Sequence, residues 1–209
     1  MTLYAIDIES GGFKEKEHAL LSIALVEVLD PIAARPPREI ELYCLPEPGK
    51  IITDDAAKVN GYTPELWAER GAKPLLQQLL ALGQWLLIDA RAPGDIIDLV
   101  AHNAPFDRRF MEASEKALCV PITSHEMAWK CSLELFRNVC RNRKWFPPNH
   151  KLESLAHMSG HWSPGYVRGD HLSLADARAC AAGWTWLQDP HAKFVPFANP
   201  TAPIIGHKS

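Results

Sequence analysis

Apolar and polar positions follow two different rhythms along this chain. In the first third, runs rich in apolar and β-branched residues at 3–9, 20–29 and 39–45 are separated by polar or proline-containing segments, which predicts three strands. Thr63-Pro64-Glu65 then reads as a helix start, with Thr63 as N-cap and Pro64 at the first helical position. Leu75, Leu76, Leu79, Leu80, Leu82, Trp85 and Leu86 recur at helical spacing, so 74–89 is predicted as an amphipathic helix. A short buried strand at 96–101 and a helix from about 106 to 118 follow. A further strand near 128–131 and helices over 132–142, 151–158 and 173–187 complete the series. Strands first and strand–helix alternation afterwards predict an α/β fold, a mixed sheet covered by helices.

A length of 209 residues fits one domain over 1–188, and nearly half the residues are apolar, enough for a sizeable core. Residues 189–209 hold four prolines and little periodicity, and are expected to form an extended tail. The apolar run 79–88 is interrupted by Gly83 and Gln84, so no membrane span is expected. The N-terminus lacks a basic region followed by an apolar segment and enters a strand-like run almost at once, so no secretory signal is expected. The five cysteines are odd in number and form no C-x-x-C pair, so reduced thiols and a cytoplasmic location are expected. A net charge of −3 argues against a tight non-specific nucleic-acid binder. It is compatible with an enzyme that holds a chain end and brings in cations of its own.

Asp7 and Glu9 lie two apart in the first predicted strand, so both carboxylates project from one face among Tyr4, Ala5, Ile6 and Ile8. Unpaired like charges are costly there, and a divalent cation would relieve them. The plainer alternative is a strand end, with Glu9 turning into Ser10-Gly11-Gly12. Asp107 stands just beyond the strand at 96–101, at the carboxyl end where open α/β sheets gather ligands. It could equally serve the dipole of the helix that it opens. Asp176 shares a helical stripe with Cys180, Gly183 and Leu187, where an unpaired acid is expensive, although Ser173 and Asp176 also have capping-box spacing. His171 lies close by, beside a glycine-containing segment.

Jointly and in order, Asp7-Ile-Glu9, His102-Asn-Ala-Pro-Phe-Asp107 and His171-Leu-Ser-Leu-Ala-Asp176 resemble the three motifs of the DEDDh group of 3′→5′ exonucleases. That group includes the proofreading subunit of bacterial replicative polymerase and ribonuclease T, and the resemblance spans about residues 3–187. Asn60-Gly-Tyr-Thr-Pro64 resembles the family's turn after the third strand, and Lys151-Leu-Glu-Ser-Leu155 its penultimate helix. The stretches 6–13 and 100–107 are most similar to ribonuclease T, although Val59 stands where that protein has an aromatic residue.

The resemblance implies a ribonuclease H-like fold with a five-stranded mixed sheet flanked by helices. It implies two Mg2+ or Mn2+ ions held by Asp7, Glu9, Asp107 and Asp176, with His171 as general base. It further implies release of 5′-mononucleotides from the 3′ ends of single-stranded DNA or RNA. His102, Asn103, Phe13 and Phe106 are candidate substrate contacts, the two phenylalanines at positions where the family inserts aromatic wedges. Arg143, Lys144 and Trp145, in a stretch without acids from 137 to 150, are further candidates, because cations beside an aromatic suit phosphates and stacked bases. A solvated helix end is the alternative there. RNA 3′-end trimming and a catalytically silent nucleic-acid-binding module of the same fold are the rival functions; a homodimer or association with a polymerase is left open. His157 and His161 are spaced like zinc ligands but lack partners, and Leu133-Glu-Leu-Phe136 is better placed in a packed helix than as a clamp-binding peptide.

Overall fold

The computed structural model describes residues 2–30, 32–87, 97–123, 127–160 and 173–193. Its strands are β1 (Thr2–Ser10), β2 (Leu20–Glu27), β3 (Glu39–Leu45), β4 (Lys73–Pro74), β5 (Ile97–Ala101) and β6 (Trp129–Cys131). Its helices are α1 (Asp54–Asn60), α2 (Pro64–Glu69), α3 (Leu75–Leu87), α4 (Ala104–Leu118), α5 (Ser132–Arg143), α6 (Leu152–Met158) and α7 (Ser173–Gln188). The strands form one mixed sheet in the order β4-β3-β2-β1-β5-β6. β1 runs antiparallel to β2 and parallel to β5, so it is the central strand that joins the meander to the crossover half.

This is the expected ribonuclease H-like arrangement with one addition. The sheet has six strands rather than five, because Lys73 and Pro74 pair with Cys44 and Leu45 at the β3 edge. α1 was not expected either. It is short, and Ala56, Ala57 and Val59 are too few to mark a periodic apolar stripe. Thr63 caps α2 through the Leu66 N–H at 3.1 Å with Pro64 following, as the sequence predicts.

Alternation along β1 divides the core in two. Tyr4, Ile6 and Ile8 face a large cluster with Leu79, Leu82 and Leu86 of α3 and Phe110 and Met111 of α4. Ala5, Ala24 and Val100 face α7, meeting Ala177, Cys180 and Ala181. The small side chains on this second face let α7 lie close to β1 and β2. Beyond it, Phe136 and Cys140 of α5, Leu155 and Met158 of α6 and Leu187 of α7 form a satellite cluster. There Gly183 has no room for a side chain, since a Cβ would stand 2.6 Å from Leu155.

Candidate active site

Asp7, Glu9 and Asp176 meet at the carboxyl end of β1. One oxygen from each carboxylate lies within 4.8 Å of the others, the arrangement that can hold a metal ion. Two come from alternate positions of β1 and one from the first turn of α7. Glu9 is still within the strand, opposite Ser22, and the register slips only between Glu9 and Ser10. The stripe read for Asp176 is also present: Cys180, Gly183 and Leu187 are buried. Ser173 meets Ser22 Oγ at 2.9 Å and donates to Glu41 at 3.1 Å, while Glu41 also accepts the Leu174 N–H at 3.2 Å. These contacts to β2 and β3 fix the start of α7, and no local motif announced Glu41 or Ser22.

Asp107 stands outside this trio but against it. β1 pairs with β5 only as far as Ala5. The Ile8 N–H beyond that point is taken by Asp107 Oδ1 at 3.2 Å, so the carboxylate fills a ladder position that the shorter strand leaves open. Burial drives the carboxyl of Asp7 well above the ordinary carboxylate range, with Asp176, Asp107 and Glu9 adding like-charge repulsion. Burial likewise pushes Asp107 up to about 8, against the backbone N–H groups that favour its charged form. A cluster of acids that cannot comfortably share their charges, built only of hard oxygen donors, suits a hard divalent cation.

The remaining candidates separate into two groups. His102 is half-buried and held neutral, its pKa lowered to about 4 by desolvation. Its Nε2 lies 3.0 Å from the His150 carbonyl and its Nδ1 3.0 Å from Ser132 Oγ. A carbonyl only accepts, so Nε2 carries the proton and Ser132 donates to Nδ1. Asn103 adopts a left-handed conformation at φ 75° and opens α4 directly after β5, a conformation that Asn tolerates better than most residues. Phe13 is 83% exposed and lies 6.4 Å edge-on from Phe106, which itself lies 5.0 Å from the buried Phe110. An aromatic step thus leads from the core to the surface beside the first motif.

Arg143 and Trp145 contact the end of α7, while Lys144 is exposed. Arg143 donates to the carbonyls of Ala192 at 3.1 Å and Asp189 at 2.8 Å, and sits 4.9 Å over the Trp145 ring. Trp145 in turn stacks on Trp186 at 5.2 Å, and Lys144 closes α5 in a left-handed turn. The group clasps the end of α7. His171 lies outside the described residues, as do His161 and residues 194–209 of the expected tail. Among the described residues, no helix is long and apolar enough to cross a membrane.

Fold and site together define a ribonuclease H-like α/β protein with a carboxylate nest at the end of its central strand. No family model matches the chain. In sequence it is similar to ribonuclease T of Photobacterium profundum, 33% identical over 116 residues, covering 54% of this chain and 52% of that protein. In fold it is similar to a moderately thermophilic exonuclease I from Methylocaldum szegediense, with a TM-score of 0.72 and 19% identity over 92% of this chain and 41% of that one. E. coli exonuclease I, solved in complex with an oligonucleotide, gives a TM-score of 0.60 and 16% identity over 88% of this chain and 39% of that one. The chain thus spans about half of its sequence relative and about two fifths of these structures, and the structural likeness is one of fold. The sequence likeness to ribonuclease T agrees with the motif resemblance to the DEDDh group.

Proposed function

We propose that this chain is a divalent-metal-dependent 3′→5′ exonuclease that hydrolyses phosphodiester bonds at single-stranded 3′ ends and releases 5′-mononucleotides. The observation that carries the reading is the convergence of Asp7, Glu9 and Asp176, with Asp107 braced on the Ile8 N–H beside them. The ribonuclease T relative and the exonuclease I neighbours support it, as does the order of the three motifs.

Asp7, Glu9 and Asp176 would hold one Mg2+ or Mn2+ ion, and Asp7 with Asp107 a second. Bound there, such ions would supply charge neutralisation at the phosphate and activation of the attacking water. His171 would take the proton of the attacking water, its unperturbed pKa lying near physiological pH. Phe13, backed by Phe106, offers a face for the terminal base, and stacking of this kind is tolerant of sequence. Asn103 opens α4 next to Asp107, so the backbone at the start of this helix lies near the same cleft.

The ribonuclease T relative favours RNA 3′ ends as a second reading. Both readings are tested by incubating end-labelled single-stranded DNA, duplex DNA and RNA with Mg2+, Mn2+ or chelator. A metal-dependent ladder shortening from the 3′ end is expected, fastest on single strands, and the faster of DNA and RNA assigns the sugar. Full activity in excess chelator, or cutting of a circular substrate, would overturn the proposal.

A further inference from the structure

α1 buries one residue, and it is a polar one. Asp54, Asp55, Lys58 and Val59 are exposed, and Asn60, 4% exposed, is the residue of this helix that reaches the interior. A helix that served only to cover the fold would anchor itself through an apolar side chain, because a buried amide contributes little unless its hydrogen bonds are met. The Asn60 amide is aimed at β1: Nδ2 donates to the Ser10 carbonyl at 2.9 Å.

Ser10 follows Glu9 directly, at the point where the β1–β2 register slips, with Glu9 opposite Ser22 and Ser10 opposite Leu20. A slip of this kind re-aims the side chains beside it and leaves backbone groups without ladder partners. The exit of β1 is then held by α1 from both ends. At the start of α1, the N–H of its cap Thr53 donates to the Gly11 carbonyl at 2.9 Å, and at the end Asn60 holds Ser10. Gly11 also donates to Ala19 at 2.8 Å and has no space for a side chain, since a Cβ would meet the Ile51 carbonyl oxygen at 2.4 Å. Ser10 Oγ closes the turn onto the Gly12 carbonyl at 2.7 Å, one residue before the exposed Phe13.

We propose that Asn60 is a positioning residue, whose carboxamide holds the bulged exit of β1 so that Glu9 faces Asp7 and Asp176 while Phe13 lies beside Phe106. The proposal rests on the exonuclease reading and deepens it. The hydrogen bond of the Asn60 side chain goes to the backbone of β1 and not to a carboxylate. It acts through the backbone of Ser10.

The fold supplies a matched control. Gln78 on α3 is also a buried amide that donates to a strand carbonyl, Tyr43 on β3 at 2.6 Å, two strands away from β1. Asn60→Leu keeps the size of the side chain and removes the donor; Asn60→Ala serves if the leucine variant does not fold. Each is compared with wild type and Gln78→Leu by steady-state kinetics on a single-stranded substrate and by metal titration of activity. Melting temperature is followed in chelator and with added Mg2+ or Mn2+. Loss of the support should lower kcat by about 10–100-fold and raise the metal concentration needed, the usual cost of removing a group that orients a metal ligand. Gln78→Leu should lose as much thermal stability while keeping kcat within about twofold of wild type.

Asn60 variants with wild-type kcat and metal requirement would overturn the proposal. So would a kcat loss that Gln78→Leu reproduces at equal loss of stability, because the effect would then be merely structural. If wild type itself releases no nucleotides, the exonuclease reading fails instead. The metal-induced rise in melting temperature then decides on Asn60 alone: a titration shifted to higher metal supports the role, and an unchanged one removes it.

Discussion

The two faces of β1 are built from opposite materials. One presents Tyr4, Ile6 and Ile8 to the leucines of α3 and the aromatic and sulfur side chains of α4. The other presents Ala5, Asp7 and Glu9 to α7, whose contacting residues include Ala177 and Ala181. The first face fills space with large side chains. The second gives up volume so that a helix can come close enough to bring Asp176 against two carboxylates from the strand. Stability is concentrated on one side and charge on the other, and a strand with a two-residue period keeps them apart.

The strongest test of this division is to remove a charge. Asp7→Asn should reduce nuclease activity to background and abolish the stabilisation that Mg2+ or Mn2+ confers on the folded state. In chelator the same variant should melt higher than wild type, because Asp7 is the carboxylate that burial and three acidic neighbours most oppose. A metal-free variant that melts lower than wild type would show that the acidic face stabilises the fold by itself.

Next in size is His171→Ala, expected to lower turnover by roughly 10²–10⁴-fold with the metal-induced rise in melting temperature intact. Wild type should gain activity as pH rises through the pKa of this histidine, and the variant should lose that limb. Retention of more than about half of wild-type turnover at saturating metal would remove His171 from the reaction.

A paired substitution compares the faces directly. Ala177→Leu should push α7 away from β1 and lower turnover by about 10²-fold, the scale on which small misplacements act, at a stability cost of about 1–3 kcal/mol. Ile6→Ala, on the opposite face, should cost about 2–5 kcal/mol of stability and leave turnover below the melting temperature nearly unchanged. Denaturant unfolding and kcat measured side by side decide; equal losses of kcat at equal losses of stability would erase the distinction.

The smallest effect expected is on pH. Asp7 and Asp107 have folded-state pKa values above the ordinary 3.8, with Asp107 at about 8, so they favour the folded state at low pH and lose that contribution as pH rises through those values. His102 is shifted the other way, from 6.5 to about 4, and acts below 6.5, where the unfolded chain binds its proton and the folded chain does not. Between pH 6.5 and 8 the acids act alone. In chelator the wild-type protein should therefore become less stable across that window, and added Mg2+ or Mn2+ should flatten the dependence. A metal-free protein equally stable at both ends would contradict the assignment.

Much of this was legible because the signals are periodic or short-range. The leucines of α3, the alternation of β1, and the stripe of Asp176, Cys180, Gly183 and Leu187 all follow from spacing within one element. Three ordered motifs then placed four acids at strand and helix ends without any knowledge of the fold. What the sequence hid depends on partners far along the chain. β4 is two residues that become a strand only by pairing with β3. His102 reads as a residue of the second motif, yet its ring is satisfied by Ser132 and His150. Arg143 and Trp145 have the composition of a nucleic-acid contact, but their neighbours are Asp189, Ala192 and Trp186. Composition reports what a side chain can bind, and only the fold reports what already occupies it.

The carboxylate trio also has an order of manufacture. Asp7 and Glu9 belong to the first described strand and leave the ribosome before Asp176, which belongs to α7, the last described element. At about 5–20 residues per second, the nascent chain carries two of the three acids for about 10–30 s before the third exists. Whatever chemistry the metal-bound site performs, its ligand set cannot be complete before α7 has been made.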